Sequence, residues 1–311
     1  MTIKNLDNFF LILIVFLPIS FLIGPGISLA NIILFDLCFV IFIITTKKFE
    51  WIKTPIIKIL LILYFYLIFN SLISLDYDLN LLRNFGFIRL IILFAGINYF
   101  MKNKNFSKIF YLWSILILII VFDIFFERIY GSNLLGYSSY NQRRIVSFFK
   151  DELIVGGFVY AFAFIIIGYY FEKFKNYSLP KKNLLFLGIF IIFLSVLATG
   201  ERSNSIRFIL SLFIFLSFVN FLTLKTKIFS LILIAIISIS VVINSEYLKG
   251  RMFESIKYSA STFVKSYQHG QPMDNPGGNI YAKLYRSGYE VFKANPHFGV
   301  GNKNYRLESC D

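Results

Sequence analysis

The sequence predicts an all-α protein, a polytopic bundle of transmembrane helices with a partly helical loop outside the membrane. Of its 311 residues, 57% are hydrophobic and only 15% are charged. This composition is too apolar for a soluble domain of that length and is typical of proteins that cross a membrane many times. The apolar residues also come in runs of about 17–20, which is the length a helix needs to cross the hydrocarbon core.

About nine such runs follow one another along the chain. Short polar links join them, and Pro25 and Gly26 make the first of these turns. We expect a transmembrane domain over residues 1–244 and a large loop over residues 245–311. The predicted spans are residues 8–24, 28–45, 55–73, 85–100, 109–126, 153–171, 183–199, 204–222 and 227–244.

The lysines predict how the chain is oriented. They cluster in alternate loops, and loops on the cytoplasmic side of a membrane carry an excess of basic residues. The N-terminus and the lysine-rich loops should therefore lie inside, and residues 245–311 outside. The net charge of +14 then reflects topology rather than a nucleic-acid partner. The lysines in question are Lys47, Lys48, Lys53, Lys102, Lys104, Lys108, Lys173, Lys175, Lys181, Lys182, Lys225 and Lys227.

All ten arginines belong to the opposite, outer face or to span ends that open onto it. Arginine is a better ligand for phosphate than lysine, because its planar guanidinium forms two parallel hydrogen bonds. We therefore look for chemistry on the outer face. The ten are Arg83, Arg89, Arg128, Arg143, Arg144, Arg202, Arg207, Arg251, Arg286 and Arg306.

The strongest local signal is the segment TGERSNSIR at residues 199–207, at the outer junction of two spans. Arg202 beside the N-terminus of the next helix would suit a lipid-linked diphosphate, because a helix N-terminus itself attracts anions. The alternative is a hinge between spans, in which Glu201 pairs with Arg202 or Arg207. Three residues are candidates for the cap of the helix that follows: Ser203, Asn204 and Ser205.

A second signal lies in the large loop. The spacing from Ile280 to Lys293 predicts a helix that stops at Asn295-Pro296, because proline cannot continue it. Gly299 and Gly301 then permit a tight turn of the backbone. Arg286 should project from this helix, either towards a ligand or simply into solvent.

Weaker candidates lie in or near the spans. Asp36 is near the middle of the second span, where a carboxylate is functional or partnered; Asn70, Asn98 or a tyrosine would be its partner. Arg89 and Asp123 are expected to form an ion pair, and the alternative is that Arg89 reaches a bound phosphate.

The outer segment at residues 127–152 mixes charge, tyrosine and glycine. We expect it to form a short amphipathic piece along the membrane interface. Within it, Arg143 and Arg144 would attract anionic headgroups, although a solvated face is the plainer interpretation.

These features together resemble the O-antigen ligase and O-antigen polymerase family of bacterial membrane glycosyltransferases. Three of them match: TGERSNSIRF at an outer span junction, a long outer loop after the ninth span, and an arginine-bearing helix followed by NPHFGVG. In that family the last motif typically reads N-P-x-F-G-V-G. The resemblance extends over essentially the whole chain, but only these motifs are specific.

The resemblance implies a metal-independent and cofactor-free enzyme of lipopolysaccharide biosynthesis in the bacterial inner membrane. It would transfer a glycan from undecaprenyl diphosphate to a sugar hydroxyl of lipid A-core on the periplasmic face. Arg202 and Arg286 match the arginines thought to hold the donor diphosphate, and Arg207 and Arg89 would support them by binding substrate.

Two alternatives stay open. An O-antigen polymerase of the same family would extend a growing glycan instead. A transporter or flippase for an anionic glycolipid or solute belongs to another class, and it should show paired broken helices or inverted halves; the sequence has neither.

The sequence departs from the family at its general base. The family's base is a histidine near the end of the large outer loop, followed by further spans, whereas this sequence ends at Asp311 without that motif. His297 occupies the variable position of the N-P-x-F-G motif and His269 lies in a Gly/Pro-rich loop, so neither is assigned as base. We expect the chain to be truncated at its C-terminus and inactive by itself.

Overall fold

The structure, a computed structural model, is all-α as the sequence predicts: helices joined by turns and loops, with no strand in the part of the chain that it describes. Among the described residues, five helical stretches are long and apolar enough to cross a membrane: Pro25–Thr46, Pro55–Leu72, Asn80–Met101, Ser107–Tyr130 and Val155–Lys173. The third of them includes a turn at Gly86 and Phe87, which separates two helices. The structure describes residues 3–74, 77–103, 107–139, 144–150, 152–173, 179–218, 223–250, 257, 261, 280–302 and 304–308.

Each predicted span overlaps one described helix. Three further apolar stretches are shorter, namely Asn8–Ile23, Leu184–Ala198 and Leu231–Ser240. The helical positions are confirmed, while the count of about nine crossings stays a prediction. In chain order the helices are α1 (Ile3–Ile23), α2 (Pro25–Thr46), α3 (Pro55–Leu72), α4 (Tyr77–Phe85), α5 (Ile88–Asn103), α6 (Ser107–Tyr130), α7 (Val155–Lys173), α8 (Leu179–Ala198), α9 (Arg202–Phe218), α10 (Leu224–Asn244), α11 (Glu246–Lys249), α12 (Ile280–Ala294) and α13 (Tyr305–Glu308).

The chain divides into two compact units, each made of pieces that are distant in sequence. Unit 1 comprises Met1–Leu17, Gly26–Asn105 and Tyr258–Asp311. Unit 2 comprises Pro18–Pro25 and Phe106–Lys257. The predicted division at residue 244 stays a prediction.

Unit 1 is built on an aromatic cluster between α1, α2 and α5. Phe10 and Phe39 are 0% exposed, and the Phe10 ring lies 4.4 Å from that of Phe100 and 5.4 Å from that of Phe35. Gly96 on α5 permits the close approach to α2, since a Cβ there would lie 2.6 Å from the Phe35 ring. The Phe10–Phe35 pair meets edge-on and the Phe10–Phe100 pair is tilted, and close aromatic pairs stabilise a core beyond the area they bury.

Unit 2 packs α6, α7, α8 and α9 against one another. Phe193 of α8 and Phe208 of α9 are 0% exposed, with ring centroids 5.4 Å apart. Trp113 of α6 meets Phe162 of α7 edge-on at 5.3 Å. These contacts fix the end of α8 and the start of α9, which carry the predicted motif.

Two predictions about loops have different outcomes. The predicted helix in the large loop is confirmed as α12, and Gly299 and Gly301 follow it with φ of +68° and +85°. The expected amphipathic piece at the interface stays a prediction: in the described part of residues 127–152, α6 continues to Tyr130, and turns and a 3-10 helix at Ser147–Phe149 follow it.

Candidate functional site

The predicted motif in unit 2 folds around the carboxylate of Glu201. This side chain directly precedes α9 and is only 7% exposed. Its Oε1 accepts the backbone N–H of Gly156 at 2.8 Å, and its Oε2 accepts the side-chain amide of Asn204. Gly156 is in the first turn of α7, where backbone N–H groups have no acceptor in their own helix. Glu201 therefore caps the N-terminus of a neighbouring helix, where its negative charge also suits the helix dipole.

This cap depends on glycine at the start of α7. A Cβ on Gly156 would lie 2.9 Å from both Cδ of Glu201 and Oγ1 of Thr199, and one on Gly157 would lie 3.2 Å from the amide nitrogen of Asn204. Any larger residue would push the carboxylate away. The cap therefore requires both Glu201 and the two glycines, which leave room for its carboxylate.

The C-terminus of α8 is held from the other side. Arg128, on the last turn of α6, donates from Nε at 3.1 Å and from Nη2 to the carbonyl of Ala198. The N–H of Ile145 donates to the carbonyl of Thr199 at 3.2 Å, and Gly200 makes the turn with φ of +75°. A cation at the end of a helix binds the carbonyls that lack internal partners. The turn between α8 and α9 is therefore fixed at both ends.

The loop after α6 is organised by two acids one helical turn apart. Asp123 accepts the N–H of Leu134 at 2.9 Å and the hydroxyl of Ser147 at 2.5 Å. Glu127 accepts the N–H groups of Val146 at 3.2 Å and of Ser147 at 2.7 Å. Ser147 has φ of +49°, a conformation that side chains rarely adopt without such support.

A polar pocket of about 390 Å³ opens beside this loop, at the end of α6. We call it the Arg128–Arg144 pocket. Ser139 also lines it; its hydroxyl is buried and meets no hydrogen-bond partner in the described part of the chain. The lining residues are Glu127, Arg128, Ile129, Tyr130, Gly131, Ser139, Arg144 and Ile145.

Burial dominates the electrostatics of Glu201. It raises the pKa of this carboxyl, and the hydrogen bonds from Gly156 and Asn204 and the charge of Arg144 oppose the rise. Arg144 therefore lines the Arg128–Arg144 pocket and also lowers the pKa of Glu201 in the motif. Arg143, the other member of the predicted pair, lies outside the described residues.

The prediction for the cap of α9 is wrong. The helix begins at Arg202, so all three predicted caps lie within its first turn. Asn204 binds the Glu201 carboxylate, and the Ser205 hydroxyl donates to the Glu201 carbonyl at 3.1 Å. Ser203 is exposed.

The two arginines of the motif differ in their surroundings. Arg202 is the first residue of α9 and is half-buried, so it lies beside a helix N-terminus, as predicted. Arg207 is exposed. Arg207 is five positions after Arg202, which places the two residues about 140° apart around the helix.

In unit 1, the turn after α12 is held on α3 and α4. The Asn70 amide donates to the Phe298 carbonyl at 2.6 Å, and the Asn302 amide donates to Oδ1 of Asn84 at 3.1 Å. A Cβ on Gly301 would lie 2.6 Å from the Cβ of Ser74, so glycine is required there for space as well as for φ. The N-P-H-F-G-V-G sequence is therefore a docking turn.

Arg286 lies on α12, ahead of this docking turn, and is exposed. His297 within the turn is also exposed, and His269 lies outside the described residues. Arg202 belongs to unit 2 and Arg286 to unit 1.

The expected ion pair of Arg89 and Asp123 stays a prediction, because the two residues belong to different units and the contacts of each are given within its own unit. Arg89 of unit 1 places its charge near Asp36, and Asp123 of unit 2 binds Leu134 and Ser147. Asp36 is buried, and its oxygens accept no hydrogen bond within the described part of the chain. Its expected partner Asn70 instead donates to the docking turn.

Sequence reasoning did not assign roles to Glu127, Asn133, Ser139 or Ser147. Only the first carried a signal, as an acid spaced four residues from Asp123 on one helix face. The Asn133 amide donates to the Ser147 carbonyl at 2.5 Å. These two residues are distant in sequence and come together only in the fold, so the sequence does not reveal the contact.

The described part of the chain is all-helical, and its long apolar helices are consistent with a membrane protein. In unit 2, Arg202 lies at a junction between two such helices that Glu201 and Arg128 hold in place. In comparisons with known proteins, no family model, no curated protein and no solved structure matches the chain.

Proposed function

We propose that this protein is a metal-independent glycosyltransferase of the O-antigen ligase type. It transfers a glycan from undecaprenyl diphosphate to a sugar hydroxyl of lipid A-core, on the outer side of the bacterial inner membrane. One observation carries the proposal: Arg202 lies at the N-terminus of α9, in a junction held by Glu201 and Arg128 at the ends of apolar helices. A lipid-linked diphosphate would arrive at that level of the membrane.

The chemistry needs a cation where negative charge develops. The bond between the anomeric carbon and the diphosphate oxygen breaks, and its electron pair stays on the diphosphate. A new bond forms to the acceptor oxygen, whose proton passes to a general base that we do not assign. A preorganised guanidinium stabilises the departing diphosphate most strongly in the transition state.

Rigidity at Arg202 supports this role. The residue follows Glu201, whose side chain binds α7, so the backbone that carries the guanidinium is fixed before any ligand binds. Preorganised groups spend no free energy on reorientation during the reaction.

Arg286 is the second proposed ligand of the diphosphate. Its helix ends in the docking turn, which Asn70 and Asn302 bind to α3 and α4. The supporting roles of Arg207 and Arg89 are weaker, because Arg207 points about 140° away from Arg202 around α9, and Arg89 lies near the carboxylate of Asp36.

The test replaces each arginine by lysine, which keeps the charge but loses the two-pronged geometry. Variants of the complete gene product are returned to a strain that lacks the gene, and membranes are assayed for transfer from a lipid-linked glycan to lipid A-core. We expect Arg202→Lys and Arg286→Lys to lower transfer about tenfold or more. The exposed Arg306→Lys of α13 is the matched control and should retain activity.

The products separate the alternatives. Glycan on lipid A-core indicates a ligase, and longer glycan on the undecaprenyl carrier indicates a polymerase. Movement of an intact donor across vesicles, with no new glycosidic bond, indicates a transporter. Unchanged transfer in both lysine variants would reject the proposed arginine pair.

A further inference from the structure

We infer that the Arg128–Arg144 pocket binds a phosphate group, a role that goes beyond the proposed glycosyl transfer and does not depend on it. The pocket contains two guanidinium groups and a buried serine hydroxyl. Its volume of about 390 Å³ is within the usual range for small-molecule sites. It exceeds the volume of one phosphate and suits a diphosphate or the headgroup of a phospholipid.

The Ser139 hydroxyl is the clearest sign of a missing ligand. It is 8% exposed, and no described residue accepts or donates a hydrogen bond to it. Buried polar groups almost always have a partner, because an unsatisfied one retains the full cost of leaving water. A phosphate oxygen in the pocket would accept this hydroxyl.

The arginines supply the charge. Arg144 lines the pocket, and its charge also lowers the pKa of Glu201. Arg128 binds the Ala198 carbonyl, but a guanidinium has five N–H donors and can serve two acceptors. Both arginines line the pocket, and guanidinium groups bind phosphate oxygens through parallel, charge-assisted hydrogen bonds.

Two carboxylates interact with these arginines, Glu127 with Arg128 and Glu201 with Arg144, and Asp123 lies one helical turn before Glu127. Glu127 lines the pocket, but both of its oxygens accept loop N–H groups; Asp123 is likewise bound by Leu134 and Ser147. Glu201 is bound by Gly156 and Asn204. Their charges are thus held by donors of their own, so the Arg144 and Ser139 donors remain for a ligand.

The surroundings favour a group at the level of lipid headgroups. The pocket lies at the end of α6, one of the helices able to cross a membrane. Ile129 and Tyr130 at its edge are 75% and 70% exposed. Tyrosine is enriched at membrane–water interfaces, where phosphates are also found. A lipid phosphate or a soluble diphosphate supplies the same chemistry.

The experiment measures binding to the purified protein, without any assay of transfer. One arm titrates radiolabelled inorganic diphosphate into protein in detergent. The other uses nanodiscs with and without phosphatidylglycerol and counts the anionic lipid that is retained. We expect Arg144→Gln to lower the affinity for the probe that binds about tenfold, and Ser139→Ala to lower it about threefold. Binding should also weaken as salt is added.

The matched control is Lys150→Gln, which removes an exposed charge from the same loop outside the pocket. It should bind like the parent. Ser139→Ala should fold normally, because its hydroxyl bonds to nothing in the described residues. Dependence on Arg144 in the diphosphate arm identifies a soluble ligand, and dependence in the nanodisc arm identifies a lipid. Equal binding by Arg144→Gln and Lys150→Gln in both arms would overturn the inference.

Discussion

The cap that Glu201 forms on α7 predicts that Gly156→Ala destabilises unit 2. The added Cβ would lie 2.9 Å from both Glu201 Cδ and Thr199 Oγ1, well inside ordinary contact. The carboxylate must then swing away from the Gly156 N–H, which it now accepts at 2.8 Å. The buried acid would lose its main partner.

The magnitude follows from three terms. Loss of a hydrogen bond to a charged group costs about 1.5–3 kcal/mol. Overpacking adds about 1–3 kcal/mol. Alanine returns at most about 1 kcal/mol of helix propensity relative to glycine. We therefore expect a net loss of about 2–4 kcal/mol in the free energy of unfolding.

Unfolding is followed by titration with sodium dodecyl sulfate in mixed micelles. Trp113 is buried in unit 2 and reports its unfolding by fluorescence, provided that the other tryptophan is replaced in all variants by Trp51→Phe. The matched control is Gly168→Ala on the same helix, where a Cβ meets nothing within 4 Å. This control should be neutral or more stable by up to about 1 kcal/mol. If the two alanine variants unfold alike, Glu201 is not the cap that the contacts describe.

Three further predictions concern the same two regions. Gly301→Ala should lower stability by about 2–3 kcal/mol, since φ is +85° and the Cβ would lie 2.6 Å from Ser74. Hydrogen exchange over α12 should then rise. Gly288→Ala is the control and should change neither quantity, because a Cβ there meets nothing within 4 Å. Arg128→Gln should cost about 1–3 kcal/mol in the same detergent titration, because it loses a charged bond to the end of α8. Glu201→Gln should gain stability relative to the parent as pH rises above 4.5, the ordinary pKa of this carboxyl.

The sign of the last effect follows from proton linkage. The folded state raises the pKa of Glu201, so it binds the proton more tightly than the unfolded state does. The resulting stability is complete below the ordinary pKa and disappears as pH rises through the raised one. The glutamine variant does not titrate there. A stability difference between parent and Glu201→Gln that is constant with pH would contradict this account. The separate prediction for Arg128 would be contradicted if Arg128→Gln unfolded within about 0.5 kcal/mol of its parent.

The sequence predicted the features that depend on local chemistry. Runs of apolar residues placed the helices, because the length needed to cross a bilayer is a property of the helix itself. Proline at 296 and glycine at 299 and 301 predicted the end of α12 and its turn, because their backbone preferences act within a few residues. The role of that turn as a docking point was not predictable, since it depends on Asn70, which is distant in sequence.

The cap of α9 shows why local rules fail at the junction. Small polar residues in this segment predicted a cap by their propensity. The fold instead brings the N-terminus of α7 within reach of Glu201, whose carboxylate accepts the N–H of Gly156 and suits the positive end of that helix. Ser147 is a similar case, because its left-handed backbone is stable only where Asp123 and Glu127 meet it.

The contacts also sort the polar residues of the motif by what they do. Glu201 caps α7, Asn204 binds that carboxylate, and the Ser205 hydroxyl binds the backbone, so three of its polar side chains maintain architecture. Arg202 is the motif cation that this architecture sets beside a helix N-terminus. Two residues connect the Arg128–Arg144 pocket to this junction: Arg128 binds the carbonyl at the end of α8, and the charge of Arg144 lowers the pKa of Glu201. A phosphate bound in the pocket would therefore alter the electrostatic balance around Glu201, one residue before Arg202.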